Sequence, residues 1–137
     1  RYVIYTAIST NPEGDAIDRM FKIARDNGVD NPQIIGWDFP YLSQEQINVY
    51  NMHGYTAAWI LPENITPDGL EVKEQKAQDY AAVHIEGPFD NPFVTIPNGY
   101  KTIDEYMKIN GLKHVWEGVI PCFETDGETM DIYIACE

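Results

Sequence analysis

The order of apolar runs along the chain constrains its fold most, because one series of elements occurs twice. The first half begins with a run at 2–8 that is rich in branched and aromatic residues, which predicts a buried strand. A helix is predicted at 12–29, where apolar residues recur at spacings of three and four, followed by strands at 33–39 and 55–61. The first half therefore predicts the order strand, helix, strand, strand.

The second half repeats this order of elements with little sequence identity. A strand is predicted at 80–86, and the capping box at 102–105 predicts the start of a second helix. Two further strands, 119–124 and 130–135, are predicted to join at a turn, Asp126-Gly127. The second half is thus expected to repeat the order of secondary-structure elements, although few of its residues match those of the first half.

These elements predict an α+β fold in one domain, residues 1–137. Its two pseudo-symmetric strand-helix-strand-strand repeats cover about 1–63 and about 70–137. They are expected to form an antiparallel sheet with the helices on one face and a central ligand cleft.

The charge of the chain limits its partners. With 22 acidic and 9 basic residues the formal net charge is -13, which argues against direct binding to DNA, RNA or an anionic membrane. No apolar run has the length of a membrane span, and the start of the chain lacks a signal-peptide pattern. With two cysteines only, a cytoplasmic, reduced protein is predicted. The start at Arg1 rather than Met suggests an upstream segment.

Glu124 is the first candidate for a functional residue. It lies beside Phe123 in an otherwise apolar hairpin, where a carboxylate is costly unless it is paired or exposed. With a turn of two or four residues, Tyr133 would lie opposite Glu124 or one diagonal step away, with its hydroxyl in reach of the carboxylate. Such an acid beside aromatic rings suits a lipophilic cation. The alternative is an ordinary solvent-facing strand residue.

A set of aromatic residues near strand ends is the second candidate. Individually most of them are expected in the core, but as a set in an acidic chain they suit a flat, apolar cation. The set comprises Trp37, Phe39, Tyr50, Tyr55, Trp59, Trp116 and Phe123.

Metal, nucleotide and nucleophilic chemistry have little support in the sequence. His53, His84 and His114 are isolated, and Cys122 is expected to be a small buried residue. Because these residues are isolated, no metal site is predicted. A glycine-rich phosphate loop is absent from the sequence, so nucleotide binding in its usual forms is not expected, and no cofactor is predicted.

Several short segments together resemble the GyrI-like effector-binding domain, which occurs in AraC-type and MerR-type transcription regulators and as free-standing proteins. The resemblance covers nearly the whole chain and is most specific around Phe123-Glu124. The segments are His53 to Trp59 with Leu61-Pro62-Glu63, Asp79 to Val83 with Glu86-Gly87, and Ile120 to Glu124 with Asp131 to Ile134.

The resemblance implies a cleft between two repeats, with a glutamate at its base that contacts cationic, hydrophobic ligands in multidrug-sensing members. By position this glutamate is Glu124, and Tyr133 is its implied aromatic partner. The resemblance implies that Trp37 and Trp59 form the wall of the cleft in the first repeat. The stretch 88–99 is longer than in the family and is expected to fold over the cleft mouth. The closing strand ends in Ala135-Cys136-Glu137, where many members of the family continue with a proline. The remaining predicted ligand contacts are Tyr55, Phe39, Phe123 and Trp116.

The leading hypothesis is therefore a sensing domain for a lipophilic cation, with DNA contacted only through a fused domain and no contact with a membrane. The alternative is a hydrolase similar to some GyrI-like proteins, with Glu124 as general base and Tyr133 orienting the substrate. A third hypothesis is an inhibitor whose acidic surface mimics nucleic acid. Because the acidic residues are scattered, a solvated surface explains them adequately.

Overall fold

The computed structural model describes residues 1–125 and 127–137, in which it contains an α+β arrangement of six strands and three helices. Asp126, half of the predicted turn, lies outside the described residues. The chain divides into two compact units, unit 1 at Arg1–Glu74 and unit 2 at Gln75–Glu137. No helix within the described residues combines the length and apolarity needed to cross a membrane.

Unit 1 has the predicted order of strands, with one additional short helix. The elements are β1 (Tyr2–Ser9), α1 (Pro12–Asp26), β2 (Gln33–Asp38), α2 (Gln44–Asn48) and β3 (His53–Ile60). The strands pair in the order β1-β3-β2, and β3 is antiparallel to both neighbours.

Helix α1 covers one face of the unit 1 sheet. Pro12 occupies its first turn, and Gly28, with φ of 83°, adopts the left-handed conformation just after its end. Its buried stripe is Ala16, Met20 and Ala24, which packs against a cluster that includes Trp59. The spacings of four residues place these side chains on one helix face. The apolar residues whose spacing predicts this helix are Ile17, Met20, Phe21 and Ala24, of which Met20 and Ala24 are buried and Ile17 and Phe21 are half-buried.

The short helix α2 was not predicted. Ser43 caps it, since the Ser43 side chain accepts from the Gln46 backbone N–H at 3.1 Å and the Gln46 side chain accepts from the Ser43 N–H at 2.8 Å. This reciprocal capping box was visible in the sequence as Ser followed three residues later by Gln.

Unit 2 has the order strand, helix, strand, strand. The elements are β4 (Tyr80–Glu86), α3 (Pro92–Ile109), β5 (Cys122–Glu124) and β6 (Thr129–Ala135). The strands pair in the order β5-β6-β4, and β6 is antiparallel to both neighbours.

The predicted start of the second helix is wrong. Helix α3 begins at Pro92, and Thr102 lies within it, where its hydroxyl donates to the Asn98 carbonyl at 2.8 Å. Most of the stretch 88–99, which is expected to fold over a cleft mouth, is helical, because α3 begins at Pro92. Pro97 and Gly99 disfavour a helix locally. Packing outweighs this preference, since a Cβ on Gly99 would lie 2.7 Å from Ile85 Cδ1.

The core of unit 2 lies between α3 and its sheet. Alternate residues of β6 point toward the helix, where they meet the apolar stripe of α3 and the inward side chains of β4. The buried members are Ala81, Ile85, Ile103, Met107, Met130, Ile132, Ile134 and Cys136.

Candidate functional site

Glu124 lies at the end of β5, on the sheet face that α3 covers. It is half-buried and stands opposite Ile132, a fully buried core residue. Its Oε2 accepts a hydrogen bond from the Tyr100 hydroxyl of α3 at 3.0 Å. The strand therefore places this carboxylate between an apolar sheet face and a helix that supplies a hydroxyl donor.

The predicted pairing of Glu124 with Tyr133 is wrong. Tyr133 stands opposite Phe123, so it lies on the other face of the sheet from Glu124. The Thr125 N–H donates to the Asp131 carbonyl at 3.0 Å, which leaves an odd number of residues, 126–130, between these partners. A loop of two or four residues would have shifted the register by an odd number of residues and placed Tyr133 on the same face as Glu124. The hydrolase arrangement with Tyr133 beside Glu124 is accordingly not formed.

Tyr133 belongs instead to a cluster of three rings on the sheet face away from α3. Its ring stacks on Phe123 with centroids 4.7 Å apart, and Tyr80 approaches Phe123 edge-on at 5.1 Å. The Tyr80 hydroxyl donates to the Ile120 carbonyl at 2.9 Å, which holds that ring in place. Burial, and secondarily the Asp131 carboxylate, raise the pKa of Tyr133 above its usual 10.0.

His84 lies on the same sheet face, between two carboxylates. Its Nδ1 is 2.5 Å from Asp131 Oδ1 and its Nε2 is 3.0 Å from Glu86 Oε1. The hydrogen bond to Asp131, followed by that to Glu86, raises the pKa of His84 above 6.5. All three groups are at least a third exposed, so solvent weakens the attraction.

Because the folded-state pKa of His84 is raised, its stabilising contribution is full below pH 6.5 and is lost as pH rises through the folded pKa. We therefore expect His84→Gln to lower the free energy of unfolding more at pH 5.5 than at pH 8.5. Asp131→Asn should return the pKa of His84 toward 6.5 in a titration of its ring protons by NMR. An unchanged titration in that variant would contradict the assignment of Asp131 as the main cause.

The tryptophans predicted to contact a ligand lie in different environments. Trp59 is fully buried against α1, whereas Trp37 is half-buried opposite Thr56, on the sheet face away from α1. Trp116 is 66% exposed and its ring lies over His114, with centroids 3.7 Å apart.

Two predicted ligand contacts, Phe39 and Tyr55, do come together in unit 1. They line an open cavity of about 510 Å³. The start of α1, the end of β2 with the segment that follows it, and the start of β3 form its walls. Glu13 and Asp38 place two carboxylates in the lining.

Sequence reasoning missed Tyr100, Glu13 and Asp38. Tyr100 precedes Ile103 and Met107 at helical spacing, so the apolar stripe contained it once the helix was extended toward its N-terminus. Glu13 and Asp38 carried no comparable signal, because each is an ordinary acid near the end of an element.

Within the described residues, no group of three or more His, Cys, Asp or Glu is arranged to hold a metal ion. Cys122 is half-buried and Cys136 is buried.

Comparison with known proteins finds no matching family model, no matching curated protein and no matching solved structure. The resemblance to the GyrI-like effector-binding domain therefore stays a prediction.

Proposed function

We propose that the chain binds a lipophilic cation and acts as an effector-binding domain, in a transcription regulator or as a free-standing relative. The observation that carries this proposal is Glu124, a half-buried carboxylate beside a buried isoleucine and a tyrosine hydroxyl. Metal ions and small ammonium ions lose much hydration energy on entering such surroundings. A large organic cation with delocalised charge loses less, so it is the favoured partner.

The charge of the whole chain supports the same ligand class. A net charge of -13 attracts cations toward the surface and repels anions at low ionic strength. Contact with DNA in such a regulator would fall to a fused basic domain. To transmit a signal, the cation must bind one state of the regulator better than another.

The proposal includes a fold of two related repeats around a ligand cleft. In its support, each unit has a strand, a helix and two more strands, with the last strand between the other two. In both units a single long helix covers one sheet face, α1 in unit 1 and α3 in unit 2.

The test is a calorimetric titration with tetraphenylphosphonium, with tetraphenylborate as an anion of the same shape. Wild type should bind the cation and not the anion. Glu124→Gln keeps the shape of the side chain but removes its charge, so the dissociation constant for the cation should rise about tenfold or more. Tyr100→Phe should have a smaller effect, because it removes one hydroxyl and leaves the charge.

Glu128→Gln is the matched control, since Glu128 lies in the same hairpin, is exposed and carries the same charge. It should leave the dissociation constant for the cation within about twofold, as expected for an exposed and screened charge. Equal losses in Glu124→Gln and Glu128→Gln would show that general electrostatics alone attracts the cation. Equal binding of the cation and the anion would remove the role of charge.

A further inference from the structure

We propose that the cavity of unit 1 is a second binding site, built entirely within that unit, for a small amine or quaternary ammonium ion with an apolar body. Its volume of about 510 Å³ falls in the range of roughly 300 to 1,000 Å³ that is usual for small-molecule sites. This inference does not depend on Glu124.

The charge of the lining selects a cation. Glu13 and Asp38 are acidic, and none of the lining residues is a lysine or an arginine. The Oε1 atom of Glu13 is buried, so one of these carboxylates is set into the wall instead of extending into solvent. A cation in the cavity would be attracted by this charge through the wall, without direct contact with Oε1, and the attraction strengthens as water leaves the cavity.

The N-terminus of α1 also forms part of the wall, and a helix N-terminus by itself attracts anions. Its effect equals about half a positive elementary charge. Glu13 and Asp15 already lie in this first turn, and Asp38 adds a further negative charge to the cavity. Full negative charges therefore outweigh the partial positive charge, and the cavity disfavours an anion.

The remaining lining explains why the ligand needs an apolar body. Phe39, Leu42, Ile47 and Met52 contribute apolar side chains, and the almost wholly buried Tyr55 lies behind them in the wall. Aromatic faces attract ammonium groups, and the flexible thioether of methionine adapts to irregular ligand shapes. An inorganic cation would gain nothing from this surface.

The backbone around Gly54 keeps the cavity wall in place. The Phe39 N–H donates to the Gly54 carbonyl at 3.0 Å, so the segment after β2 is fastened to the start of β3. A Cβ on Gly54 would lie 2.3 Å from the Phe39 carbonyl oxygen. Glycine therefore permits the close approach that brings Phe39 into the lining.

The test is an NMR titration of the nitrogen-15-labelled chain with benzyltrimethylammonium. We expect saturable shifts of amide resonances from the non-proline residues of 10–13, 38–42 and 52–55. The double substitution Glu13→Gln with Asp38→Asn should raise the dissociation constant about tenfold or more. The double substitution Asp18→Asn with Asp30→Asn is the control, since it removes the same charge from exposed residues outside the lining.

Met52→Trp supplies an independent variant that fills the cavity without a change of charge, and it should also weaken binding. Asp38→Asn alone tests the charge if the double variant does not fold, because Asp38 is exposed. Glu124→Gln should leave these shifts unchanged, which separates this site from the proposed effector site.

Three outcomes would overturn the assignment. They are the absence of saturable shifts, equal losses in the two double variants, and equal binding of 3-phenylpropionate, an anion of similar size. If Glu124→Gln loses tetraphenylphosphonium binding but keeps the amide shifts caused by benzyltrimethylammonium, both sites are supported.

Discussion

Trp59→Ala is expected to lower the free energy of unfolding by about 3–5 kcal/mol, the usual cost of removing a large aromatic side chain from a core. Trp59 has no exposed surface and packs in the cluster between α1 and the unit 1 sheet. Its removal leaves a cavity that the fully buried residues around it, such as Met20, cannot fill without moving. Denaturant unfolding followed by far-ultraviolet circular dichroism measures the loss.

Trp116→Ala is the matched control, because it makes the same change at a position that is 66% exposed. It should cost less than about 1 kcal/mol. Trp59→Phe should cost less than Trp59→Ala, since Trp59 Nε1 has no hydrogen-bond partner within the described residues. Equal losses in Trp59→Ala and Trp116→Ala would contradict the placement of Trp59 in the core.

Gly36→Ala is expected to destabilise the fold by about 1–3 kcal/mol through overpacking. A Cβ on Gly36 would lie 2.1 Å from the Tyr55 hydroxyl oxygen and 2.5 Å from its ring carbons. Tyr55 is 2% exposed and belongs to the core cluster with α1, so its ring cannot swing aside freely. The residue on β2 must therefore be glycine for this ring to cross the strand.

A double-mutant cycle tests this explanation. In a Tyr55→Leu background the added methyl group meets a smaller side chain, so Gly36→Ala should cost much less than in wild type. The two substitutions should be non-additive by about 1 kcal/mol or more, as for residues in direct contact. Additive losses would show that Gly36 is required for its backbone and not for the Tyr55 ring.

Much of the fold could be predicted because its signals are local. The strand starting at Tyr2 and the strand at 80–86 were predicted within a residue or so, and α1 was predicted from its apolar stripe and from Pro12. These features depend on neighbours within a few residues, which the sequence displays directly. The start of α3 was missed because Pro97 and Gly99 oppose a helix locally, and only packing against β4 compensates.

The candidate site was predictable in part. The half-burial of Glu124 agrees with its unusual position in an apolar hairpin. Its partner was not predictable, because one residue more or fewer in the hairpin loop decides whether Tyr133 shares its face. Tyr100 comes to the carboxylate from a helix, and no local pattern links the two positions.

The sequence by itself determined the α+β composition, the order of the strands and of the two long helices, and a strongly acidic surface. The tertiary structure alone decided the register of β5 on β6, the hydrogen bond from Tyr100 to Glu124, and the grouping of Glu13, Asp38 and Tyr55 around one cavity. The physical reason is the distance along the chain over which each kind of interaction acts. Periodicity and caps act over one or two turns of chain, whereas a site forms where residues far apart in sequence pack together.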